Sequence, residues 1–188
     1  MPADIKKNVD QNALIIGQIT MQWTTIQVAI SYIFRRLSGL DKVRAEIIFS
    51  CVKSDATQRE VTLALARALL APQPELLGRL EKLFDKIGRY SGERNAAAHT
   101  MWAVKLPEGL VIPYPTASHH RRLKVHDHIT QFDRLLNNLG KAFREVMKLD
   151  ADIATAMAEH SSHRRSDTSV LTDDGVVNAV ENNLSAIR

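Results

Sequence analysis

The sequence holds one cysteine, Cys51, which excludes a disulfide within the chain and any cysteine-based zinc site. A solitary thiol of this kind is expected to pack as a small buried hydrophobe. Glycine (8) and proline (6) are scarce among the 188 residues. Both cluster between stretches of periodic apolar residues, which is the punctuation of helices joined by short breaks. No apolar run follows a basic N-terminal region, so no secretory signal is expected. The most apolar segment, residues 13–34, is interrupted by Gln18, Gln22, Thr24, Thr25 and Gln27, which argues against a membrane span. A G-x-S-x-G elbow, a Walker loop and a dinucleotide fingerprint are all missing, so serine-hydrolase and nucleotide-binding readings find no motif. Internal repeats and low-complexity tracts are also missing. These absences together predict a protein of the reducing cytoplasm.

What is present is helical periodicity in a chain long enough for one well-buried core. Ile15, Ile19, Trp23, Ile26, Ile30, Ile33 and Leu37 recur at steps of three and four, predicting a first helix over about 10–37. Ser38-Gly39 ends it. Asp41 then caps a short helix with Val43, Ile47, Ile48, Cys51 and Val52 turned inward. Asp55 and Gln58 have the spacing of a capping box for a third helix, whose buried face is expected to be Val61, Leu65 and Leu69. Pro74 suits the first turn of a fourth helix that buries Leu76, Leu77, Leu80, Leu83, Phe84 and Ile87, with a weak point at Ser91-Gly92 where it is expected to kink.

Residues 103–125 differ in character. Val104 and Leu106, then Leu110 and Ile112, flank Pro107-Glu108-Gly109 as in a small hairpin. Asp127 can cap a long last helix with Ile129, Phe132, Leu136, Leu139, Phe143 and Val146 on its apolar face. The expected fold is all-α: a bundle of about five long helices with one irregular or β-hairpin excursion near 103–125. Residues 1–160 would form a single helical domain. A polar linker from 161, and a short C-terminal helix with Val177, Val180, Leu184 and Ile187, would complete the chain.

The net charge of +4 is compatible with nucleic acid without demanding it. One compact set of reactive side chains stands out: Arg94-Asn95-Ala96-Ala97-Ala98-His99, followed by Trp102. Arginine offers a planar, permanently charged fork of donors that suits phosphate oxygens. Histidine, with an unperturbed pKa of roughly 6.5, takes or gives a proton near neutral pH. Metal-free RNA cleavage needs little more. A base removes the proton of the 2′-OH, the oxygen attacks phosphorus, and a cation stabilises the charged transition state. Asn95 and His99 are four apart and share a helix face, so the amide can orient the imidazole. Arg94 and His99 are five apart, about 140° around a helix, so one straight helix aims them apart. Two copies crossing over the small side chains Ala96, Ala97 and Ala98 would bring both pairs together, which predicts a composite site at a homodimer interface.

Arg94, Asn95, His99 and Trp102 together resemble the motif of the HEPN superfamily. The resemblance implies a helical bundle, homodimerisation and metal-independent endoribonuclease activity in toxin–antitoxin, phage-defence or RNA-processing settings. It also implies that Arg94 and His99 are catalytic and Asn95 supporting. Thr100 departs from the pattern, since many relatives have glycine after the histidine. Other members keep the fold without cleavage and serve as binding or dimerisation modules, so a silent module engaging an antitoxin or other protein partner is the alternative.

A basic run from His119 to His128, with Arg121, Arg122 and Lys124 at its centre, can guide RNA phosphates toward the site. The bland reading of the run is a solvated loop. His126 and His128 are two apart and share no helix face, and no carboxylate cluster completes a set, so neither a metal nor a cofactor is expected.

Overall fold

A computed structural model describes residues 2–114, 123 and 127–168, with side chains as far as Glu159. Its elements are α1 (Ala3–Ser38), α2 (Lys42–Cys51), α3 (Asp55–Leu69), α4 (Pro74–His99), β1 (Trp102–Lys105), β2 (Leu110–Pro113) and α5 (His128–Thr168). The all-α bundle with a small hairpin is therefore the observed fold.

The described residues fall into two units, Met1–Asp150 and a second that begins at Ala151. Within the first, α1 is the central helix. All seven residues of its expected stripe, Ile15 to Leu37, are buried, and Gly39 closes it in the left-handed conformation at φ 66°. By length and composition α1 is also apolar enough to cross a membrane. Its stripe is nonetheless turned inward, as in the core helix of a bundle. Helices α2, α3 and α4 all pack on α1, and α3 also packs on α4. Helix α5 is tied on by an Arg36–Asp150 pair, in which Nη2 donates to Oδ2 at 2.9 Å, and by Lys86–Glu145 at 3.1 Å.

The inward faces of α2 and α3 differ from expectation. On α2 the buried residues are Ala45 and Phe49, whereas Val43, Ile47, Ile48 and Cys51 are exposed. The ring of Phe49 lies 5.3 Å from that of Phe34 on α1, and this contact fixes which side of α2 turns in. On α3 the inward residues are Arg59, Thr62 and Ala66, while Val61 and Leu69 face outward. The expected capping box does not form. Ser54 Oγ accepts from Thr57 N–H at 3.4 Å, and Gln58 Nε2 donates back to the carbonyls of Phe49 and Val52 at 3.1 and 2.9 Å. Gln58 thereby satisfies carbonyls at the end of α2, and the Asp55 carboxylate is left for longer-range partners.

The hairpin pairs Trp102 with Pro113 and Lys105 with Leu110 in antiparallel register. Its turn is docked on the start of α1, where Asn8 Nδ2 donates to the Gly109 carbonyl at 3.0 Å. Gly109 has φ 66°, and a Cβ there would lie 2.8 Å from Ile5 Cγ1, so both backbone and space require glycine. Helix α5 runs on through 161–168, the stretch expected as a polar linker. The expected C-terminal helix, with Val177, Val180, Leu184 and Ile187, lies outside the described residues.

Candidate functional site

Helix α4 runs unbroken from Pro74 to His99, through Ser91-Gly92. Without the expected kink, five residues carry the chain about 140° around the axis, and the two key side chains do face apart. Arg94 turns inward, with 18% of its side chain exposed, and His99 is exposed at the last helical position. Asn95 is half-buried, one turn before His99 on the same face. One copy of the chain therefore does not bring Arg94 and His99 to a common point.

Arg94 sits in a three-helix tie. Its Nη2 donates to Asp55 Oδ2 at 2.8 Å, and the same oxygen accepts from Trp23 Nε1 at 2.8 Å. The guanidinium carbon lies 4.9 Å from the Trp23 ring centroid, within reach of a cation–π attraction of roughly 0.5–2 kcal/mol. Asp55 stands in the first turn of α3, where the helix dipole also favours its negative charge. One carboxylate thus joins α1, α3 and α4. Arg94 Nε is buried without a hydrogen-bond partner among the described residues. The arginine is consequently fixed in plane and partly neutralised.

Asp55 and Trp23 are the residues that the motif did not point to. Asp55 lies 39 residues from Arg94 along the chain, and Trp23 lies 32 residues from Asp55. Asp55 read locally as a cap and Trp23 as one member of a core stripe, and no local signal joins either to Arg94.

Ala96 and Ala97 are fully buried within their own chain. These two cannot form the surface over which a second backbone approaches, which leaves half-buried Ala98 as the one of the three alanines open to that role. Thr100 has φ −73° and ψ 135°, an extended conformation open to any residue, so nothing in the backbone after His99 requires glycine. Trp102, half-buried at the start of β1, packs against the rings of His128 at 5.0 Å and Phe132 at 5.8 Å, a contact that anchors the hairpin on α5.

Arg121, Arg122 and Lys124 lie outside the described residues, as do His119, His120 and His126. Among the described residues no cluster of His, Cys, Asp and Glu could hold a metal ion. Comparisons with family models, with curated proteins and with solved structures find no match to this chain.

Proposed function

We propose that this protein is a HEPN-like, metal-independent endoribonuclease whose active centre is completed by a second copy of the chain. The observation that carries the reading is the exposure of His99 at the end of α4, five residues from an arginine whose orientation is fixed by Asp55 and Trp23. An accessible imidazole takes the 2′-OH proton or returns one to the leaving oxygen. A guanidinium held in plane stabilises charge on the phosphate without reorganising during the reaction. The products are a 2′,3′-cyclic phosphate and a 5′-hydroxyl end, and Asn95 orients His99. Because the unkinked helix aims Arg94 and His99 apart, each centre draws its arginine and its histidine from different copies.

The surface of α1 supports pairing of two copies. Leu14, Met21 and Val28 follow one another at seven-residue intervals and are 63%, 72% and 46% exposed, a stripe of the kind that marks contact surfaces. RNA is the substrate on this reading, Arg121, Arg122 and Lys124 guide its backbone, and the setting is cytoplasmic toxin–antitoxin or phage defence.

The test is incubation with a mixed RNA pool in EDTA. His99→Ala and Arg94→Ala should each slow cleavage by at least about 100-fold. Mixing the two inactive variants should restore about a quarter of the sites, because half the dimers are mixed and each mixed dimer has one intact centre. Intact RNA with the folded wild-type dimer would sink the proposal. It would leave a second reading, favoured by the neutralisation of Arg94 by Asp55: a catalytically silent helical module that binds an antitoxin or another protein partner.

A further inference from the structure

Between α3 and α4, one helical turn beyond Asp55, lies a cleft of about 570 Å³ lined by Arg59, Leu63, Phe84, Gly88 and, at its rim, Arg67 and Arg89. Arg59 is the unusual member. Only 8% of it is exposed, and among the described residues it forms no ion pair and its buried Nη1 has no hydrogen-bond partner. Burial lowers the guanidinium pKa, and the charges of Asp55 and Glu60 only partly offset this. Arginine nonetheless keeps its proton in proteins, so the chain holds a desolvated cation that nearby carboxylates compensate only in part. A buried cation without a full counter-charge is costly, and a fold that retains one is expected to meet an anion there.

We propose that the α3–α4 cleft binds a small phosphorylated ligand, its phosphate held by Arg59 and Arg89 and its body resting on Leu63 and Phe84. The proposal does not depend on the nuclease reading. Tetrahedral phosphate oxygens point in three dimensions and accept from guanidinium forks arriving from different directions, whereas the two oxygens of a carboxylate lie in one plane. Arg67 contributes less, since Glu81 already accepts from it at 2.8 Å. Glu60 and Asp85 also line the cleft. These carboxylates repel a polyanion running along the surface and can accept from hydroxyls of a small ligand. Gly88 keeps the mouth open: the atom nearest to where its Cβ would be is Arg59 Nη2, 3.8 Å away.

The probes are AMP, inorganic phosphate and succinate, titrated calorimetrically into the full chain at low salt. AMP should bind, phosphate more weakly, and succinate at least about tenfold more weakly than AMP. Arg59→Met should lower AMP affinity by at least about tenfold. So should Gly88→Leu, which fills the mouth at an exposed helical position and leaves Arg59 in place; it serves if the Met variant fails to fold. His99→Ala should bind AMP like the wild type. No AMP binding at millimolar concentration would overturn the proposal. So would succinate binding as tightly as AMP, or AMP binding that survives Gly88→Leu and vanishes in His99→Ala.

Discussion

Two arginines enter the same bundle from neighbouring helices and meet different fates. Arg94 of α4 finds Asp55 at 2.8 Å and the face of Trp23 at 4.9 Å. Arg59 of α3, one turn beyond that same aspartate, is more deeply buried and has no ion-pair partner among the described residues. The contrast teaches that burial of a charge carries no single meaning. Arg94 is tied into the scaffold by its counter-charge, whereas Arg59 is a cation that the scaffold compensates only in part. Deleting a partner should hurt the first, and deleting the charge should help the second.

The largest effect is expected at Asp55. Replacing it with alanine leaves Arg94 without its counter-charge and Trp23 Nε1 without its acceptor. Loss of one partner from a buried pair costs about 3–5 kcal/mol. Because both side chains keep some exposure, 18% and 30%, about 2–3 kcal/mol is expected here. Urea denaturation of Asp55→Ala measures it, and a loss below about 1 kcal/mol would mean that the tie does not hold the three helices. Arg59→Met should move stability the other way. An apolar side chain of similar length removes the incompletely compensated cation, as when buried charges elsewhere are replaced by apolar residues with gains of about 1–4 kcal/mol. A rise of about 1–2 kcal/mol in the same denaturation experiment is expected without ligand. A fall would show that the guanidinium is already compensated in the unliganded protein.

The unequal fates of these arginines also mark where the sequence stops being informative. Helix α1 was legible because seven large apolar residues share one stripe and all are buried, so local periodicity and the core agree. On α2 and α3 the inward face is not legible from periodicity, because each carries apolar residues on more than one side. On α2 the choice is made by the Phe34–Phe49 contact. On α3 it is consistent with the tie at Asp55, which turns Arg59, Thr62 and Ala66 inward in place of Val61 and Leu69. Both deciding contacts join distant parts of the chain. The candidate site divides in the same way. The divergence of Arg94 and His99 followed from five residues of spacing, yet what fixes Arg94 could not, because Asp55 serves locally as a first-turn carboxylate. The cleft at Arg59 has no signature in the sequence, since its lining comes from two helices and charged residues ordinarily face water.

The smallest and most discriminating change lies at Trp23. Trp23→Phe keeps a ring beneath Arg94 and removes only the Nε1 donor and part of the indole surface. A hydrogen bond to a charged acceptor is worth about 1.5–3 kcal/mol when fully buried, and the Asp55 end of this one is partly exposed, so about 1 kcal/mol is expected. The weaker quadrupole of phenylalanine takes a little more from the cation–π contact. The shared oxygen gives the sharper test. Trp23 and Arg94 both donate to Asp55 Oδ2, so the penalty for Trp23→Phe should shrink by at least about 0.5 kcal/mol when Asp55 is already alanine. Equal penalties in the two backgrounds would mean that Trp23 acts through packing alone. Arg94 would then be held by Asp55 without help from the indole N–H, and Trp23 would belong to the core stripe in which its spacing first placed it.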